Sequence, residues 1–494
     1  MNQKLLYGSA LLIGFTGSQQ ALAQKKKTSD TKKPNVVFIL ADDLGYGDLS
    51  CYGQEKFETP NIDKLAREGM RFTQCYSGTT VSAPSRSCLL TGTHSGHTPI
   101  RGNMELAPEG QFPLPANGPT IFHDFKNAGY QTGTFGKWGL GYIGSEGDPN
   151  KQGIDQFYGF NCQLLAHSYY PDHLWENDKR IELKDNVLEV QYGKGTYSQD
   201  LIHSKALAFL DAAAQKQEEP FFMWYPTILP HAELIVPEDS IIKKFRGKYK
   251  EEKPYKGVEP GSPAFRKGGY CSQFYPRATF AAMVYRLDVY VGQIVQKLKE
   301  MGVYDNTIII FASDNGPHME GGADPDFFNS NGIWRGHKRD LYEGGIRVPM
   351  IMSWPGHIQP STETNFMCSF WDVMPTIREI LNPKANTKNM DGVSLLPLLE
   401  NRKGQKEHEF LYFEFQEMNG RQAVRKGPWK LVHMNIRGEK PTYELYNLAS
   451  DPSEKYNILN EFPEKVSELK TIMETSHVYN PNFPLLKGEK KQAK

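Results

Sequence analysis

Two uninterrupted apolar runs, NVVFILADDLG from Asn35 and NTIIIFASDNG from Asn306, constrain the fold more than any other feature. Each is rich in β-branched and aromatic residues, lacks polar alternation and is too short for a typical helix. That texture belongs to strands buried on both faces, and so to a mostly parallel sheet. Each run halts on a polar pair, Asp42-Asp43 in the first and Asp314-Asn315 in the second. Two further runs end in the same way. YQTGTFGKWG reaches Lys137, and PFFMWYPTILPH leads through a loop to His231.

Helical patterns fill the intervals. Thr59 and Pro60 open NIDKLAREG, in which Ile62, Leu65 and Ala66 share one face before Gly69. RLDVYVGQIVQKLKEMG repeats the design with Val291, Ile294, Val295 and Leu298, and stops at Gly302. Alternating strands and helices predict an α/β fold whose ligand crevice lies at the carboxyl ends of the strands. Asp42, Asp43, Asp314 and Asn315 then converge on one edge. A single aspartate after a strand is commonly a helix N-cap, but two such pairs at matching ends are a different matter. Three carboxylates gathered there repel one another unless a cation sits among them. Oxygen donors without His or Cys suit a hard ion, calcium or magnesium.

A serine accompanies this set. In SAPSRSCLLTG, from Ser82, there is neither the GxSxG of a hydrolase elbow nor the SxxK of a penicillin-binding protein. Pro84 fits the first turn of a helix, which puts Ser82 at the N-terminus, where backbone donors and the dipole favour negative charge. Arg86, four residues on, faces back toward position 82.

The remainder bounds the molecule. Lys+Arg and Asp+Glu both number 57, so no global field selects nucleic acid or an anionic membrane, and any anion must be met by a local site. With 494 residues the chain can bury one large core and an appended smaller domain. The start, MNQKLLYGSALLIGFTGSQQALAQ, has Lys4, an apolar stretch from Leu5 to Phe15 and a small-x-small site at Ala21-Leu22-Ala23. It reads as a secretory signal over residues 1–23, too short to span a bilayer, so the protein is expected to be exported, periplasmic or secreted, without stable membrane insertion. A charged linker follows over 24–34. Six scattered cysteines read mostly as buried thiols, with a disulfide among them left open. Residues 35–400 are expected to form the catalytic domain. Residues 401–494 change texture: EFLYFEFQ, QAVRKGPWKLVHM and TYELYNL predict a small antiparallel sheet, and DPSEKYNI a terminal helix.

Taken together, FILADDLGYGD, SAPSRSCLLTG, GKWGLG, PHAE, SDNG and KRDLYEGGIRVP, in that order, resemble the sulfatase family of the alkaline-phosphatase superfamily. The resemblance runs from about Asn35 to DGVSLLP. It implies an alkaline-phosphatase-like mixed sheet flanked by helices, with an α+β C-terminal subdomain, and hydrolysis of sulfate esters, foremost on a sulfated carbohydrate. It further implies that Ser82 is converted to formylglycine by a serine-type sulfatase-maturing enzyme and that the hydrated aldehyde is the nucleophile. Asp42, Asp43, Asp314, Asn315 and residue 82 would bind calcium, with magnesium second, and Arg86 would hold the hydrate. Lys137, His231 and Lys338 would surround the sulfate, with His231 or Lys338 protonating the leaving oxygen. A gem-diol can expel sulfate through its second hydroxyl, which a plain serine cannot do.

Two positions depart from the family pattern. GKWHLG is common where this chain has Gly139, which removes the usual base; His94 and His97 stand as candidates to replace it, with Lys137 or calcium-bound hydroxide as the alternative. PHAE carries Glu233 where proline is usual, a local loop difference. Substrate contacts are expected from His167 and Trp175 in CQLLAHSYYPDHLW, from His318 after the SDNG motif, and from Arg101 after the nucleophile helix. A phosphatase or phosphodiesterase of the same superfamily would use unmodified serine and two transition metals with histidine ligands. A catalytically inactive glycan-binding homologue would lose the cationic pocket, yet Lys137, His231 and Lys338 are all present.

Overall fold

The computed structural model describes residues 32–186, 195–216, 219–250, 252–259, 262 and 269–489. The expected secretory signal lies outside them. A ten-stranded sheet organises the chain. Its centre is Asn35–Ala41, flanked in parallel by Phe221–Pro226 and Thr307–Ser313. Gln131–Lys137 and Gln156–Phe160 continue the parallel arrangement beyond Phe221–Pro226. The antiparallel strands His173–Glu176 and Lys179–Glu182 close that side. On the other side Met350–Ser353 runs antiparallel, followed by Met70–Phe72 and Thr362–Thr364.

The central strand explains its own unbroken hydrophobicity. Val37, Ile39 and Ala41 enter one core, with Ile62 and Leu65 of helix Pro60–Arg67 and the buried face of helix Pro276–Glu300. Val36, Phe38 and Leu40 enter another, with Leu89 and Leu90 of helix Ser82–Thr91 and Phe122 of helix Ile121–Asn127. Successive side chains point to opposite faces, and both faces are covered by helices, so no polar alternation is tolerated.

Near the C-terminus a separate sheet of Leu411–Phe415, Arg421–Lys426, Trp429–Met434 and Thr442–Asn447 is antiparallel throughout. One face, with Leu411, Phe413 and Val432, packs on Tyr76, Val81 and Trp371 of the main body. The other, with Tyr412, Val424 and Leu431, is covered by Leu469 and Met473 of helix Pro463–Ser476. That helix starts after the DPSEKYNI segment expected to open it. Pro463 is its first residue, the position that proline's fixed φ favours. Residues Pro34–Lys494 pack as one unit. All six cysteines are free thiols, and among the described residues no helix is long and apolar enough to cross a membrane.

Candidate active site

The ends of four neighbouring parallel strands converge. Asp42 and Asp43 follow Asn35–Ala41, Asp314 and Asn315 follow Thr307–Ser313, Lys137 closes its strand, and His231 follows Phe221–Pro226 by a short loop. Asp42 N–H donates to Leu229 O at 3.0 Å and Asp43 N–H to Asp314 Oδ1 at 3.1 Å, which ties the loops together. Asp43 is held at φ 60°, in the left-handed region that aspartate tolerates better than most residues.

Ser82 is the first residue of helix Ser82–Thr91, and Arg86 lies one turn on. Ser82 Oγ donates to Asp42 Oδ1 at 2.9 Å and accepts from Lys137 Nζ at 3.2 Å. The fully buried Arg86 guanidinium donates to Asp314 Oδ2 through Nε and Nη2 at 3.1 and 2.9 Å, and to Lys137 O through Nη1 at 2.6 Å. Lys137 also pairs with Asp42. Lys338 Nζ donates to Asp43 Oδ2 at 2.8 Å and to His231 Nε2 at 3.0 Å.

The electrostatics separate the carboxyls. Burial would raise Asp42, but Lys137, His231 and Arg86 outweigh it and hold the group well below the usual carboxylate range. Asp314 goes the other way, to about 6, because burial and the neighbouring Asp42 charge exceed the relief from Arg86 and Lys137. Asn315 donates through Nδ2 to Asp43 Oδ1 at 2.7 Å, which leaves its buried Oδ1 without a hydrogen-bond donor. An orphaned amide oxygen beside carboxyls that burden one another fits a hard cation. Asp42, Asp43, Asp314 and Asn315 are the side chains that could hold it.

Burial, then the Lys338 charge, lowers His231 to about 3. The hydrogen bonds agree: Nδ1 carries the proton bonded to Ala232 O, and Nε2 accepts from Lys338. Burial alone would lower Lys338, but Asp43 and Glu320 outweigh it, so its ammonium is firmly protonated. The proton at this end of the site therefore rests on lysine rather than on histidine.

Two of the four expected substrate contacts flank His231. His167 lies parallel to it with ring centroids 5.5 Å apart, and His318 stacks on it at 5.5 Å. Arg101 corrects the expectation. Its buried guanidinium donates to Glu414 Oε1 and Thr98 O, each at 3.0 Å, because a cation removed from water requires a paired carboxylate. Trp175 stands two strands from the one carrying Lys137, and its indole N–H donates to Glu109 Oε1 at 2.7 Å. Neither joins the cluster. His94 and His97, the candidates for a base, follow the C-terminal end of helix Ser82–Thr91, whereas Ser82 is its first residue. There His97 Nδ1 meets Asp391 at 3.0 Å and the two rings stack. Glu233 is a tie between loops, accepting from Ser168 Oγ at 3.1 Å and from Tyr169 N–H at 3.3 Å.

Sequence reasoning missed Gln163 and Asn103. Gly139, with φ 69°, would point a Cβ toward the side chain of Gln163, whose Nε2 lies 3.5 Å from that position. The departure at Gly139 was the available signal, since an absent side chain raises the question of what fills its space.

Residues 34–382 match the family model described as Sulfatase, and residues 333–478 match one described as N-sulphoglucosamine sulphohydrolase, C-terminal. The chain is 30% identical to N-acetylgalactosamine-6-O-sulfatase of Bacteroides thetaiotaomicron, over 95% of this chain and 98% of that protein. It is 31% identical to Arylsulfatase A of Homo sapiens, over 89% and 87%. Among solved structures it is similar to Ps i-CgsB in complex with k-i-k-neocarrahexaose, with a TM-score of 0.72 and 27% identity, covering 90% of this chain and 94% of that one.

Proposed function

The chain belongs to the sulfatase family, and from that premise we propose that it hydrolyses a sulfate ester carried by a glycan, with Ser82 as precursor of the nucleophile. The observation that carries the reading is the setting of Ser82 Oγ. It is buried at a helix N-terminus between Asp42 Oδ1 at 2.9 Å and the Lys137 ammonium at 3.2 Å, with Arg86 one turn behind. A sulfate ester is an anion on which further charge develops at oxygen, and fixed cations in a dry site stabilise that charge without reorganising. Conversion of Ser82 to formylglycine would supply a hydrated aldehyde as nucleophile, and calcium held by Asp42, Asp43, Asp314 and Asn315 would supply Lewis acidity.

The chain's own residues have separable tasks in this reading. Arg86, anchored between Asp314 and the Lys137 carbonyl, presents its guanidinium to residue 82. Lys137 keeps an ammonium on the residue 82 oxygen. Lys338 delivers the proton to the leaving oxygen, with neutral His231 orienting its Nζ at 3.0 Å. His167, partly exposed and with its Nδ1 free of any hydrogen bond, contacts the sugar; His318, buried with Nε2 on Pro230 O at 3.1 Å and Nδ1 on the Glu320 N–H at 3.2 Å, backs the His231 ring instead. The carbohydrate assignment is supported by the amino-sugar and oligosaccharide names among the relatives. Export through residues 1–23, and maturation by a serine-type sulfatase-maturing enzyme, belong to the same reading.

Active protein digested and analysed by mass spectrometry should give a residue 82 peptide lighter by two hydrogens than the serine form. A panel of sulfated mono- and oligosaccharides should contain its substrate. An active preparation that carries only serine and hydrolyses phosphate rather than sulfate esters would overturn the reading in favour of a phosphatase.

A further inference from the structure

We propose that Gln163 is a positioning residue, the middle of an amide chain that fixes Lys137 against residue 82 and ties it to the start of the nucleophile helix. The proposal rests on the sulfatase reading for its turnover assay. Gln163 is 5% exposed, and its backbone N–H donates to Gln111 Oε1 at 3.2 Å. Its Oε1 accepts from Lys137 Nζ at 3.3 Å. Its Nε2 donates to Asn103 Oδ1 at 3.1 Å, and the same Asn103 oxygen accepts the Ala83 backbone N–H at 3.1 Å.

The direction of every bond in this chain is set by its ends. An ammonium can only donate, so the Gln163 atom facing Lys137 is the oxygen and its other atom is the NH₂ group. A backbone N–H can only donate, so the Asn103 atom facing Ala83 is also an oxygen, which is what the Gln163 NH₂ requires. Ala83 is the second residue of helix Ser82–Thr91, where N–H groups have no partner within the helix. One amide pair therefore joins the ammonium that touches Ser82 to the helix turn that carries Ser82.

Residue 139, which has no side chain, faces this chain. A Cβ there would lie 3.5 Å from Gln163 Nε2 and 3.7 Å from its Cγ, so a larger side chain would compete with Gln163 for the same volume. Gln163 meets Lys137 as a neutral acceptor, so it orients Nζ without placing a further charge beside Asp42. Displacement of a catalytic group by about 1 Å can cost about 10²-fold in rate.

The test uses the full-length mature enzyme. Gln163→Met keeps the volume and removes both hydrogen bonds. It should lower kcat/KM for an aryl sulfate by about 10- to 100-fold. On a Lys137→Ala background the same substitution should cost nothing further, because a residue acting only through Lys137 has nothing left to position. Asn103→Ala, at the half-buried end of the chain, should give a smaller loss of about 5- to 10-fold that also vanishes on that background; it serves as the second variant if Gln163→Met unfolds early. Calorimetry with inorganic sulfate reads the same contact without turnover, and Gln163→Met should weaken its Kd by about tenfold. Wild-type kcat/KM and sulfate affinity in both variants, or losses that add to that of Lys137→Ala, would overturn the proposal. A wild type that binds sulfate but turns over no sulfate ester would instead count against the sulfatase reading, and the calorimetric comparison would still decide the role of Gln163.

Discussion

At Lys338 and His231 one proton is shared out by the groups around it. His231 spends its Nδ1–H on Ala232 O and accepts at Nε2, while Lys338 holds its charge against Asp43. A lysine acid should matter in proportion to how badly the leaving oxygen needs a proton. Lys338→Ala should therefore slow hydrolysis of a sugar sulfate, whose alkoxide leaves poorly, by about 10²–10⁴-fold. An aryl sulfate, whose phenolate leaves unaided, should be slowed far less. Comparing kcat/KM for the two substrates checks this, and equal losses would remove Lys338 from proton transfer. The strand-end carboxylates, Ser82 and Arg86 were legible in the chain because each stands at a fixed offset from a strand end or a helix start. Gln163 and Asn103 were not, because each reaches the site from a loop whose path only the folded chain defines. Arg101 misled for a related reason: its partner Glu414 is 313 residues away.

Among the elements, the C-terminal sheet and the loop that carries Lys338 are joined by a buried charge cluster. Lys430, with no solvent exposure, lies 3.0 Å from Glu343 Oε1 and 2.9 Å from Glu454 Oε1. Glu343 follows the Lys338 loop directly, and its N–H donates to Glu454 Oε2 at 2.7 Å. Burial, with the Glu343 charge adding to it and Lys430 opposing, raises Glu454 from 4.5 to about 7. Between those values the folded protein holds a proton that the unfolded chain releases, so this group's contribution to stability falls as pH rises through that window. Glu454→Gln imitates the protonated form and should flatten the decline. Urea unfolding between pH 4.5 and 7 checks it, and parallel wild-type and variant curves would contradict the assignment. Elements of this region were partly legible. The four strands alternate one face toward the main body and one toward helix Pro463–Ser476, a period-2 pattern visible in the chain. The helix start was misplaced because DPSEKYNI has the polar opening of a helix but forms turns, and the Pro463 signal stands just beyond it.

For the molecule as a whole, the parallel core was readable because a strand buried between two helical layers must be apolar throughout. The outer strands were not, since Met70–Phe72 and Thr362–Thr364 are three residues each and carry no period. What the assembled sheet adds is a charge balance. Asp42, Asp43 and Asp314 face Arg86, Lys137 and Lys338, three carboxylates against three cations, so the site without a metal is close to neutral. A divalent ion would shift it by two positive charges toward an anionic ester, would relieve the burial and Asp42 charge that act on Asp314, and would give the orphaned Asn315 Oδ1 a partner. Binding should therefore stabilise the fold as well as enable turnover. An ion at a thousandfold excess over its Kd contributes about 4 kcal/mol to the native state. Dialysis against a chelator should abolish sulfate-ester hydrolysis and lower Tm, and calcium should restore both. In Asp314→Ala the calcium-dependent rise in Tm should shrink or vanish together with activity, which separates loss of the ion from loss of the fold. Recovery with zinc alone, or a wild-type Tm indifferent to calcium, would exclude a hard-ion site at the carboxyl edge of this sheet.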